Sequence, residues 1–189
     1  IGAAALGLWD EAASLAFLYG LAEAIEERTY ERAKQAVEFL HGRGHTRIGF
    51  LGSWRDKPGT EWPNSVQRRE GYRAGLKAQG LECSPAREGV TWASARNSRD
   101  LVAKMLEAPD APSALLTFSL PQGAGAIAAA RARGLLAPGQ FDVVSFADEG
   151  EALPDPAGHA GLVLVSWREL GRVAAQRVLQ RLAGSQEPA

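Results

Sequence analysis

The chain has 189 residues, 46% of them hydrophobic and 23% charged, with 21 basic against 22 acidic residues and a formal net charge of -1. That balance excludes a standing nucleic-acid surface, which needs clustered Lys and Arg. The single cysteine, Cys83, excludes an internal disulfide and fits a reducing cytosol.

No apolar stretch reaches the roughly 18 residues needed to span a bilayer, so no membrane partner is expected. Residues 1–8 are apolar but short and lack a basic lead, which makes them a poor signal peptide and a fair first strand. The sequence opens on Ile1 rather than Met and is expected to begin inside a longer product. Asp10 can cap a helix whose stripe is Leu15, Leu18, Leu21 and Ile25. A second helical pattern starts near Tyr30 and is carried by Ala33, Ala36, Val37 and Leu40. One helix over both would run about thirty residues against a usual dozen, so a break is predicted at Thr29, a plausible N-cap.

That pattern ends at Gly42 and Gly44, and an apolar run, 47–51, begins at once and stops at Gly52. A short apolar run between glycines reads as a strand buried on both faces, as in a parallel sheet. A polar loop, 53–63, holds Trp54 and Trp62, and a helix follows from Asn64 or Ser65 to Gly80. Further strands are predicted at 90–92, 114–118, 142–146 and 162–165, and helices at 94–107, 122–133 and 169–182. Pro109 and Pro112 end the first of these helices, Pro121 opens the second, and an acidic, Pro-rich loop fills 148–159. Strands alternating with helices mean crossover units, hence an α/β domain on a parallel sheet.

In such sheets ligands bind beyond the carboxyl ends of the strands. That points to the loops after Leu51, Trp92, Phe118, Phe146 and Val165. The sequence carries no Walker loop, no Gly-x-Ser-x-Gly elbow and no His/Cys cluster at metal spacing. No catalytic residue, metal or cofactor is therefore expected. Gly123 and Gly125 fall inside a helix pattern, which favours close packing over a phosphate cradle.

Three blocks are more specific. The first is Ala33-x-x-Ala36-x-x-Phe39-Leu40 followed by Gly44-His45-Thr46-Arg47-Ile48. The second is Ser65-x-x-Arg68-x-x-Gly71-Tyr72-x-x-Gly75-Leu76. The third is Gly134-Leu135-x-x-Pro138-x-x-Phe141-Asp142-Val143-Val144-Ser145-Phe146. With Leu162 to Val165 and Glu169-Leu170-Gly171, they make residues 29–184 resemble the LacI/GalR family of bacterial transcription regulators, in its effector-binding region.

The resemblance implies a type I periplasmic-binding-protein fold: two parallel-sheet α/β lobes holding a small molecule, such as a sugar or related metabolite. It implies a cytoplasmic homodimer that meets operator DNA through a helix-turn-helix domain outside this sequence. Residues 1–28 would belong to the N-terminal lobe, 29–160 to the C-terminal effector-binding lobe, and 161–189 to a strand and helix returning to the first. Several N-terminal-lobe elements carried by the family before Thr29 have no counterpart, so that lobe is expected to be incomplete. The rival reading on the same fold is a solute-binding protein serving a transporter, and the lack of a signal sequence argues against it.

The resemblance also marks site residues. Arg68 matches the family arginine that meets effector oxygens, and a guanidinium gives a rigid fork of donors for that task. Trp92 stands after a strand where sugar binders often present a ring, and Trp54 lies in the loop after the central strand. Ser119 and Leu120 stand where many relatives have Asn-Asp, and Ala147 with Asp148 where many have Asp first. Asp148 could substitute with a small loop shift or be a solvated loop acid. The changes favour an effector poorer in hydroxyls than a free hexose. Arg69 is expected to be solvated and His45 structural. The family's dimer surface would fall on 65–80 and 122–134, where Ile127, Ala124, Ala128 and Ala130 either meet a partner or pack on the sheet.

Overall fold

A computed structural model describes residues 28–151 and 158–182. In it β1 (Ile48–Ser53), β2 (Glu88–Thr91), β3 (Ala114–Thr117), β4 (Asp142–Asp148) and β5 (His159–Val165) form one five-stranded sheet in the order β2-β1-β3-β4-β5. All four pairings are parallel. Around it lie α1 (28–42), α2 (Pro63–Ala78), α3 (Ala95–Met105) and α4 (Leu120–Ala132), with a short 3-10 turn at Pro85–Arg87. The last helix is α5 (Trp167–Leu182).

The apolar runs read from the sequence become the middle of the sheet. Every residue of β1 and β3 is buried, as expected for strands covered by helices on both faces. On α1 the residues Ala33, Ala36, Val37 and Leu40 are buried at helical spacing, and Gly44, at φ 95°, turns the chain left-handed toward β1. In α2 the Gly71-Tyr72 pair has two distinct tasks. A Cβ at Gly71 would strike the backbone carbonyl of Tyr30, so glycine is what lets α2 close on α1. The Tyr72 hydroxyl donates to the Ile48 carbonyl at 2.9 Å, and its ring stacks on Phe50 with centroids 5.4 Å apart. Burial pushes that phenol above its ordinary range, so it remains a donor. A core of Leu51, Val102, Met105, Leu115, Ile127 and Phe141 fills the space under α3 and α4.

The N-terminal edge of the sheet is tied by a polar knot. His45 is buried, with Nε2 3.0 Å from Asp142 Oδ2 and Nδ1 3.1 Å from Ser113 Oγ. Arg43 Nε donates to the same carboxylate oxygen at 2.6 Å. Burial alone would raise the Asp142 carboxyl, but the hydrogen bonds from Arg43 and His45 outweigh it and hold the group below its ordinary value. His45 is thus structural, as its place between helix and strand suggests. Arg87 is also buried, bonded to Asp110 at 3.0 Å and to Glu82 at 3.2 Å.

Several boundaries differ from the sequence reading. Gly52 does not stop β1: parallel pairing of Gly52 with Val90 and Ser53 with Thr91 carries the strand two residues on. Trp92 lies just past β2, and Phe118 just past β3. Asp148 is the last residue of β4, paired with Val165, rather than a loop residue. The predicted elements before residue 28, and loop residues 152–157, lie outside the described residues.

The chain divides into two compact units, one of residues 1–28 and 166–189 and one of residues 29–165. The division falls after Val165 rather than 160, because β5 completes the sheet of the larger unit. In the smaller unit the Ser166 hydroxyl caps α5 through the Glu169 N–H at 3.2 Å, and Glu169 pairs with Arg172 and Arg28.

Candidate functional site

Parallel pairing delivers every strand's C-terminus to one edge. Beyond the paired residues Ser53 and Thr91 come Trp54 and Trp92, beyond Thr117 comes Ser119, and Asp148 closes β4. Arg68 reaches this edge from α2. Its Nη1 donates to the Phe118 carbonyl at 2.6 Å, and its guanidinium lies 3.9 Å from the Phe146 ring centroid and 4.6 Å from that of Phe118. Only 7% of the residue is exposed, and Nε has no partner. Burial lowers its pKa to about 10, against the opposing pull of Asp148, so the group stays charged at neutral pH.

Ser119 is the N-cap of α4, yet its hydroxyl caps nothing and is buried without a partner. The first turn of α4 holds no acidic residue. Leu120 and Ala147 are buried. Gln122 is also buried, with Nε2 donating to the Gly52 carbonyl at 2.9 Å and Oε1 unpartnered. Among the described residues, the buried side-chain polar atoms without a partner are Arg68 Nε, Ser119 Oγ and Gln122 Oε1. All three belong to residues at this edge. A native interior seldom leaves such atoms unpaired, so each asks for something to bond.

The loop after β1 is a small, tied hairpin. Trp54 and Glu61 form an antiparallel bridge, and the Arg55 N–H donates to the Thr60 carbonyl at 2.8 Å. Glu61 accepts from Ser65 Oγ at 2.6 Å and pairs with Arg69 Nη1 at 2.6 Å. A Cβ at Gly52 would strike the Glu61 carboxylate, so the missing side chain makes room for an acid over the strand end. Arg69 is therefore not a solvated surface residue: its charge is spent on Glu61. The spacing Glu61, Ser65, Arg69 is the helical i, i+4 pattern and was the available signal.

Of the other residues singled out from sequence, Trp54 is half-buried in the hairpin, Trp62 is 42% exposed and Trp92 is 37% exposed. Asp148 is exposed, its N–H bonded to Glu151 Oε2 at 2.7 Å, and it acts on Arg68 through its field rather than a hydrogen bond. Beneath α4 lies a polar chain missed from sequence: Thr117 Oγ1 is 2.9 Å from Ser145 Oγ, which is 3.3 Å from His159 Nε2. A Cβ at Gly123 would strike the Ser145 hydroxyl, so Gly123 serves close packing. Among the described residues no group of three or more His, Cys, Asp or Glu is arranged to hold a metal ion.

Comparison with known proteins gives the same picture. Residues 37–189 match the model of the periplasmic binding protein-like domain. The HTH-type transcriptional regulator GalS of Salmonella typhimurium is 25% identical over 154 residues, covering 81% of this chain and 43% of that protein. A LacI-family regulatory protein from Chloroflexus aggregans superposes with a TM-score of 0.62 at 25% identity, covering 85% of this chain and 55% of its own. A LacI-family sugar-binding transcriptional regulator from Escherichia coli, solved with phosphate, gives 0.66 at 24% identity over the same shares. The chain thus spans about half the length of these relatives. It belongs to the periplasmic binding protein-like domain family, in the form that LacI/GalR-type regulators carry as their effector-binding domain.

Proposed function

We propose that this chain is the effector-binding and dimerising part of a ligand-responsive transcription regulator, which takes a small molecule against the strand C-termini. The observation that carries the reading is Arg68, a charged guanidinium buried at that edge with one backbone hydrogen bond and an unpaired Nε. Trp92 offers an open aromatic face that can stack on an apolar ligand surface while its indole N–H still donates. Effector binding would bias the conformations of the whole protein, and through them operator binding by a helix-turn-helix domain outside this sequence. The protein would be cytoplasmic and would not catalyse a reaction. Among the described residues no helix is long and apolar enough to cross a membrane. The relatives named above are regulators, which supports this reading over a transporter's solute-binding protein.

The sugar binding of the Escherichia coli relative supports a sugar or a related metabolite as effector, here one with fewer free hydroxyls, since Leu120 and Ala147 offer no acceptors. A thermal-shift screen of small metabolites tests the reading, because a ligand that binds only the folded chain stabilises it. At one hundred times its Kd a ligand adds about 2.7 kcal/mol. A hit that Arg68→Met abolishes supports the proposal, and hits indifferent to Arg68, Trp92 and Ser119 would overturn it.

A further inference from the structure

We infer that the groove between α1 and the edge strand β5 is a second ligand site, for a small amphiphilic acid: an apolar body ending in a carboxylate. The groove offers about 450 Å³, within the range of small-molecule sites. It lies wholly within the unit of residues 29–165 and shares no residue with the strand-end site. One face of α1 supplies the first wall, where Arg32, Gln35, Ala36 and Phe39 recur at helical spacing. Val144 of β4 and residues 161–164 of β5 supply the second. Phe39 is 45% exposed, with the Arg43 guanidinium 5.7 Å from its ring centroid. Arg43 is itself held by Asp142, so the ring is braced from behind. Arg32 stands seven residues earlier, two helical turns or about 10 Å along α1. It is half-buried and, among the described residues, makes no ion pair or side-chain hydrogen bond. The neighbouring acid, Glu31, is paired with Lys34 at 3.6 Å.

Gly161 points to an occupant. Its φ is not positive, and a Cβ there would meet Phe39 and Val144 only at ordinary contact distances of 3.5 to 3.9 Å. Neither backbone strain nor packing therefore requires a glycine in this strand, where it weakens the sheet. The missing side chain deepens the groove, and close approach of a ligand is a recurrent reason for such a glycine. β5 is an edge strand of the sheet, so its outward N–H groups are further donors beside the groove. A cation, an amide and backbone donors at the rim of an apolar trough select an acid with an apolar body. A sugar or a bare phosphate would leave the apolar walls uncovered.

Calorimetric titration of the full chain tests this with 4-phenylbutyrate and octanoate, each set against its primary amide. Both acids are expected to bind at least about tenfold tighter than their amides, the scale of one charge-assisted hydrogen bond. The tighter acid assigns the apolar body as aryl or alkyl. Arg32→Gln should remove the preference for acid over amide and leave the melting temperature unchanged, since Arg32 holds no partner in the fold. Gly161→Val should abolish binding of all four probes while the melting temperature holds or rises, because a β-branched side chain fills the groove and suits a strand. Acids that bind no tighter than their amides would overturn the inference. So would a preference that survives Arg32→Gln, binding that survives Gly161→Val, or no binding at millimolar concentration. Loss of binding in Arg68→Met would also overturn it, by placing the acids at the strand ends. Only that last result bears on the regulator reading, which it would support.

Discussion

His45 Nε2 and Asp142 Oδ2 lie 3.0 Å apart, and that contact joins the turn before β1 to the first residue of β4 across 97 positions of sequence. Its acceptor is a carboxyl held below its ordinary value of 3.8 by Arg43 and His45 against the opposing effect of burial. A depressed folded-state pKa stabilises the fold fully above the unfolded value and loses that contribution as pH falls through the folded one. Asp142→Asn should therefore lower stability at neutral pH by about 1–3 kcal/mol and flatten the loss of melting temperature below pH 3.8. Melting curves from neutral pH down into that range check both. An unchanged acid limb would show that other carboxylates govern it.

Two glycines predict opposite responses to one methyl group. At Gly71 a Cβ meets the Tyr30 carbonyl, whereas at Gly42 nothing lies within 4 Å and φ is not positive. Gly71→Ala should destabilise by about 1–3 kcal/mol through overpacking. Gly42→Ala should be neutral or slightly stabilising, since alanine costs less backbone entropy in a helix. Chemical denaturation of both variants reads the difference, and equal effects would contradict the close α1–α2 crossing.

The hairpin after β1 is held by Glu61, which Ser65 and Arg69 both grip at 2.6 Å. Glu61→Ala should free the loop, costing about 1 kcal/mol globally. It should speed tryptic cleavage after the exposed Arg55 far more than it lowers global stability. Cleavage at the parental rate would mean that the backbone bridge alone holds the hairpin.

Self-association can be separated from packing on a single helix. Ile127 and Ala130 of α4 are buried in the core, which removes them from the dimer surface expected from sequence, while Ala124 and Ala128 remain partly open. Ile127→Ala should cost about 2–4 kcal/mol of stability and leave association intact. Ala128→Glu should dissociate a homodimer at micromolar concentration with little loss of stability. Sedimentation velocity on both variants is the measurement, and a parental monomer would refute the dimer.

What was legible in the sequence is what a short window can hold. The runs that became β1, β3 and β4 are apolar without alternation, and that pattern has one reading when glycines and helices flank it. The Arg-x-x-Gly-Tyr block was legible as a family signature before its parts could be explained: Arg68 at the strand ends, Gly71 against Tyr30, Tyr72 on Ile48. The end of β1 was not legible, because Gly52 extends only by pairing with Val90. Ion pairs across loops were hidden for the same reason, as with Arg87 and Asp110, 23 residues apart. On α4, small residues occupy every face, so periodicity could not say which alanines meet the sheet.

The His45–Asp142 knot and the Arg68 site stand at opposite ends of the same strands. Substitutions at the C-terminal end, such as at Trp92 or Ser119, need not disturb the anchoring end, since the buried middle of β1, β3 and β4 separates them. Under the proposed function, that separation would let the effector change at little risk to folding, and it gives an engineer a library confined to Trp54, Trp92, Ser119 and Asp148.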